Sequence, residues 1–143
     1  MNGSKYTSRS ALALVLLLLV AGLSARAASG AGQARVFFIS PSDGATVASP
    51  VKVAMGTENF TVEPAGPVKA GAGHLHIMVD TDCVAAGTVV PADVTHLHYG
   101  KGQLEAELAL SPGTHTLCLQ AADGAHIALA GAGMTQKITL TVK

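Results

Sequence analysis

From residue 50 to the end of the chain, apolar and polar positions repeatedly alternate. Val51, Val53 and Met55 alternate with Pro50, Lys52 and Ala54. Leu75, Ile77 and Val79 alternate with His74, His76 and Met78. Leu104, Ala106, Leu108 and Leu110 alternate with Gln103, Glu105, Glu107 and Ala109. His115, Leu117 and Leu119 alternate with Thr114, Thr116 and Cys118, and Ile138, Leu140 and Val142 with Lys137, Thr139 and Thr141. A period of two places alternate side chains on opposite faces of a strand, so each run predicts a half-buried strand. Val36-Phe37-Phe38-Ile39 adds a short, wholly apolar strand. Turn signals separate the runs: Pro41-Ser42-Asp43-Gly44, Pro64-Ala65-Gly66-Pro67, Gly100-Lys101-Gly102, Ser111-Pro112-Gly113 and Asp123-Gly124. Seven or so short strands without a helical period predict an all-β domain, a two-sheet antiparallel sandwich of immunoglobulin-like type. The clearest hairpin in the pattern joins 104–110 to 114–120 through Ser111-Pro112-Gly113.

The first residues follow a different rule. Lys5 and Arg9 precede an apolar run at 11–23, and Ala25-Arg26-Ala27 is a small-x-small site. These are the parts of a cleavable secretory signal, and the run is shorter than the ~20 apolar residues a membrane span needs. The expected organisation is a signal peptide at 1–27, a Gly/Ala/Ser-rich flexible stub at 28–34, and a β-sandwich domain at 35–143. The expected location is periplasmic or extracellular (secreted), with no membrane association after signal cleavage. No cysteine lies near the cleavage site, which argues against a lipid anchor. Loss of Lys5, Arg9 and Arg26 leaves six basic and nine acidic residues, a net charge of about −3. That sign does not suit nucleic acid, whose binding draws on basic patches.

The whole chain has two cysteines, Cys83 and Cys118. In an exported protein an even count predicts a disulfide. Two free thiols, or one serving as a metal ligand, are the alternatives.

All six histidines follow the signal: His74, His76, His96, His98, His115 and His126. Four form two His-x-His pairs. On a strand, residues i and i+2 share a face, so each pair aims two imidazoles the same way. Adjacent strands lie ~4.8 Å apart, close enough for two pairs to converge on one ion. Imidazole binds zinc, copper, nickel and iron well, and copper or zinc is the cofactor expected here. The alternation puts both pairs opposite the apolar faces, so they are expected to look outward and form a shallow site. His115 and His126 are outer candidates; His115 shares a face with Leu117 and Leu119 and alone reads as a half-buried, hydrogen-bonded residue. Asp80 and Asp93 are candidates to orient imidazoles. Met78 and Met134 would matter only to Cu(I), and otherwise fill space. No nucleophile elbow or phosphate loop is present, and a disulfide would remove the thiol from any Cys–His pair, so the residues lean away from an enzyme.

Several spaced blocks in one order resemble the bacterial domain of unknown function 4399 family. They are Pro41-Ser42-Asp43-Gly44-Ala45-Thr46-Val47-Ala48-Ser49-Pro50-Val51-Lys52-Val53, Glu63-Pro64-Ala65-Gly66, Gly73-His74-Leu75-His76-Ile77-Met78-Val79-Asp80, His96-Leu97-His98-Tyr99-Gly100-Lys101-Gly102-Gln103, and Leu110-Ser111-Pro112-Gly113-Thr114-His115-Thr116-Leu117. The resemblance spans about 36–142 and implies an exported β-sandwich without assigned activity. The family pattern has three successive histidines where this chain has His74, Leu75 and His76. After Asp123 it has a histidine- and proline-rich stretch, of which only His126 remains here, so a site using late histidines should be weakened.

Three readings follow. The first is an exported binding module that takes a copper or zinc ion through its paired histidines. The second is a structural or protein-interaction domain of the cell envelope, with an unknown envelope protein as partner and histidines bracing loops. The third is a cupin-like metalloenzyme: His74-x-His76-x3-Asp80-x6-Gly87 resembles the first metal motif of cupins, which would require a closed barrel with inward-facing histidines.

Overall fold

A computed structural model describes residues 32–143. The expected signal peptide at 1–27 and the first part of the stub, 28–31, lie outside the described residues. Those described form nine strands and no helix: β1 (Arg35–Ser40), β2 (Thr46–Val47), β3 (Val51–Glu58), β4 (Thr61–Val62), β5 (Ala72–Val79), β6 (His96–Tyr99), β7 (Glu105–Leu108), β8 (Gly113–Ala122) and β9 (Thr135–Val142). None of them is a helix long and apolar enough to cross a membrane.

The strands form two sheets. One has the order β1-β3-β7 and the other β2-β9-β8-β5-β4, with β6 also paired to β5. Their inner faces carry the alternating apolar residues. Val36, Phe38, Val51, Val53, Met55 and Leu108 come from the first sheet. Leu75, Ile77, Leu117, Leu119, Ala121, Ile138, Leu140 and Val142 come from the second. Fully burying one such large aliphatic side chain contributes ~1.5–3 kcal/mol, so this shared core decides which face of every strand turns inward. The result is the two-sheet sandwich the pattern implies. Placing β1, β3 and β7 in one layer and β5, β8 and β9 in the other follows the immunoglobulin-like division of strands.

Two details differ from expectation. Segments 104–110 and 114–120 do not form a hairpin. β7 pairs with β3 in the first sheet, whereas β8 pairs with β5 and β9 in the second. Ser111-Pro112-Gly113 therefore carries the chain across the sandwich; alternation within each strand is the same whichever neighbour it pairs with. The sheets are also not wholly antiparallel. The two-residue strands β2 and β4 run parallel to β9 and β5. Gly44, at φ 75°, lets the chain turn there toward the β9 edge, where Asp43 Oδ1 accepts the Thr139 N–H.

A third layer covers the outer face of the second sheet. Segments 80–95 and 123–131 fold over it and bury Met78, Val90, Cys118, Ala122 and Ala128 as a separate apolar cluster, with Cys83 and Val84 packed against it. These segments hold each other through Gly87 N–H to Ala128 O, Ala128 N–H to Thr88 O and Val90 N–H to His126 O. The Gln120 side chain clamps Val84, accepting its N–H and donating to its carbonyl. A Cys83–Cys118 disulfide, with Cα atoms 5.6 Å apart, staples the first segment to β8. It thus joins β8 to a covering loop on the outer face, not the two sheets through the core.

Candidate metal centre

β5 is the axis of the site. Leu75 and Ile77 point into the sandwich, so the period of two sends His74, His76 and Met78 to the outer face. β6 brings His98 directly opposite His76, the two being Cα partners in the antiparallel ladder. On the other side of β5, Gln120 is the partner of His76 and Ala122 that of His74. The covering layer then shuts the first pair in: His74 is 0% and His76 1% exposed. His98 remains open to solvent, and His126 is half-buried.

His126 comes from the turn after β8. Asp123 Oδ1 accepts the N–H groups of both Ala125 and Ile127, and His126 sits at φ 67°. That left-handed conformation is uncommon for a non-glycine residue. It lays the imidazole against the other three. Ring-centre separations are 4.8 Å for His74–His76, 4.9 Å for His74–His98 and 4.7 Å for His74–His126. They are 5.1 Å for His76–His98, 6.0 Å for His76–His126 and 4.8 Å for His98–His126. Nε2 of His74 lies 3.0 Å from Nε2 of His76, and Nε2 of His98 lies 3.2 Å from Nε2 of His126. Among the described residues, His74, His76 and His98 form a group whose ligand atoms all lie within 4.8 Å of one another, and His126 joins it through the Nε2 of His98.

The electrostatics favour neutral rings. Burial, followed by the neighbouring His126 and His98, pulls the His74 pKa down to about 4. Burial and the other histidines pull His76 down to about 3. Burial and His126 also lower His98. A neutral imidazole is the form that binds metal. The Nδ1 atoms of His74 and His76 are buried without a hydrogen-bond partner. An unsatisfied buried polar group costs ~1–3 kcal/mol, and this cost falls on Nδ1 while the Nε2 atoms face one another.

Residues 53–143 match the family described as domain of unknown function (DUF4399). The chain belongs to the DUF4399 family. No curated protein and no solved structure matches it.

Among the sequence candidates of this DUF4399 domain, His74, His76, His98 and His126 come together and two do not. His96 shares the outer face with His98 but is tied by Nδ1 to Asp93 Oδ1 at 2.9 Å. His115 lies elsewhere on β8, with Nδ1 2.7 Å from Asp80 Oδ2 and Nε2 2.9 Å from the Ser111 carbonyl. Asp80 and Asp93 do orient imidazoles, but those of His115 and His96. The expectation of a shallow, outward-looking site is corrected for His74 and His76: they face away from the main core yet lie beneath the third layer, which no period of two announces. Met78 packs in the outer cluster and Met134 in the main core.

The two departures from the family pattern also acquire a physical meaning. Position 75 points into the sandwich, where Leu75 is 0% exposed, so lack of a middle histidine removes no ring from this group. The shortened late segment places His126 beside the other rings. The cupin-like arrangement is corrected: two separate sheets enclose an apolar core, and the histidines occupy the outer face of one of them.

Proposed function

We propose that this DUF4399 domain is an exported module that binds one transition-metal ion, copper or zinc, through His74, His76, His98 and His126. The observation that carries this reading is the convergence of four imidazoles, two fully buried and held neutral, with ring centres no more than 6.0 Å apart. Two are Cα partners across a ladder, a third lies two residues along β5, and the fourth comes from the Asp123 turn. His74 and His76 are buried with Nε2 facing Nε2 at 3.0 Å, and an ion beside them would give both nitrogens a partner. The disulfide supports an oxidising compartment.

The brace reading fits different residues. His96 and His115 are tied to carboxylates and loop backbone, as braces should be. The hydrogen-bonding contacts of His74, His76, His98 and His126 rings are with one another. An envelope partner of the domain is compatible with either assignment.

Isothermal calorimetry with Zn²⁺ and Cu²⁺ tests the proposal on metal-stripped protein. One ion should bind per chain, and His98→Gln with His126→Gln should abolish the heat while leaving the β-sheet circular dichroism intact. Absence of heat from both ions at micromolar protein, or binding undisturbed by the double substitution, would refute it.

A further inference from the structure

We infer that the four-histidine group selects a tetrahedral ion of closed d-shell, Zn²⁺ or Cu⁺, over the planar-preferring Cu²⁺ and Ni²⁺. This rests on the proposed metal-binding role and adds to it the geometry of the ion.

The ring centres distinguish the two geometries. Zinc sits ~2.0–2.1 Å from an imidazole nitrogen, and the ring centre lies about 1.1 Å further out, so a tetrahedral ion spaces all six pairs of ring centres by about 5 Å. A square-planar ion would leave four pairs at about 4.5 Å and push two pairs, sharing no ring, to about 6.4 Å. Five of the observed separations lie between 4.7 and 5.1 Å. Only His76–His126 is long, at 6.0 Å, and the pair that shares no ring with it, His74–His98, is 4.9 Å. The planar pattern needs both of these to be long. The rings are also turned out of a common orientation: interplanar angles run from 27° for His76–His98 to 74° for His74–His98.

Preference requires that the rings resist rearrangement. His74 and His76 are carried by a strand with neighbours on both sides and are enclosed. The His98 backbone is fixed by its register opposite His76. His126 is held by the Asp123 turn and by the Val90 N–H on its carbonyl, in a layer stapled to β8 by the disulfide. Flattening the group would mean drawing the His98 ring away from His74, against the β5–β6 ladder that holds the two strands together. A flexible set of nitrogens would follow the ordinary affinity order that puts Cu²⁺ first; a pinned set penalises ions that cannot take its shape.

The test uses Co²⁺ as a spectroscopic stand-in for Zn²⁺. The Co²⁺-loaded protein should show the intense visible bands of four-coordinate cobalt, and one equivalent of Zn²⁺ should bleach them. Competition should place Ni²⁺ about tenfold or more weaker than Zn²⁺. Anaerobic titration with Cu⁺ kept reduced by ascorbate separates the two closed-shell ions by their affinities. The faint bands of six-coordinate cobalt, Ni²⁺ binding as tight as Zn²⁺, or a square-planar four-nitrogen Cu²⁺ resonance would overturn the inference while leaving metal binding intact. Uptake of none of these ions would remove the metal site itself.

Discussion

His76 on β5 and His98 on β6 are Cα partners, and their rings stack at 27° with centres 5.1 Å apart. One is buried and the other open to solvent, so a single ladder pair links the enclosed half of the histidine group to its accessible half. Removing the accessible partner should uncouple them with little effect on folding. We expect His98→Gln to weaken Zn²⁺ binding on the order of 10²-fold, at or beyond the upper end of what loss of an outer-shell partner costs a metal site. Calorimetry against wild type measures this, and an unchanged affinity would show that His98 is a bystander.

Gly100 should matter through the same ring. A Cβ built there meets the His98 imidazole, with Cδ2 at 3.2 Å and its Cε1 and Nε2 closer still. The ring is the mobile end of a side chain, so it will move before the backbone does. Gly100→Ala is therefore expected to leave the melting temperature within a few degrees of wild type. Zn²⁺ affinity should drop about tenfold or more, as for other changes that misorient a ligand. A variant binding zinc normally would mean that His98 need not hold its position.

The disulfide should support both stability and the site. Its sequence separation of 35 residues corresponds to about 4 kcal/mol of loop-closure stabilisation on the chain-entropy view. Cys83→Ser with Cys118→Ser should lose roughly that amount in urea denaturation. It should also loosen the layer that holds the His126 carbonyl, lowering Zn²⁺ affinity by about tenfold. Equal urea midpoints for the oxidised and cysteine-free proteins would contradict the staple.

The His115–Asp80 contact predicts a pH dependence away from the metal site. The Asp80 carboxylate, followed by the Ser111 carbonyl, raises the His115 pKa above its ordinary 6.5. Its contribution is complete below about pH 6.5 and disappears as pH rises through the raised value. Burial pushes Asp80 up, but the hydrogen bonds from His115 and the Thr116 N–H outweigh it and hold the carboxyl below its ordinary 3.8. That contribution is present above about pH 4 and is lost as pH falls through the depressed value. The pair should therefore be strongest near pH 5. Because Asp80 is about half exposed, we expect no more than about 1 kcal/mol. In metal-free protein, His115→Gln should cost about that at pH 5 and much less at pH 9 by urea denaturation. A cost that is the same at both pH values would argue against the charged pair.

Much of this architecture is legible along the chain, because an inward face in a two-layer sandwich leaves a local signature. Leu75 and Ile77 point inward and His74 and His76 outward because adjacent strand residues must take opposite faces. The pairing of His74 with His76, the candidacy of Cys83 and Cys118, and the all-β class all follow from spacing and composition. Neighbour relations do not. Glu105 and Glu107 alternate with Ala106 and Leu108 in the same way whether β7 pairs with β8 or with β3, so the crossing at Ser111-Pro112-Gly113 was hidden.

Choosing among six histidines also required the tertiary structure. His96 and His98 are equivalent in sequence, yet Asp93 captures one and the other faces His76. His126 stands alone in an apolar stretch, and only the Asp123 turn and the covering layer bring it to the group. Periodicity is a property of successive residues and reports the face on which each side chain lies. Convergence depends on contacts between segments far apart in the chain, and burial by a third layer depends on loops that have no period to read.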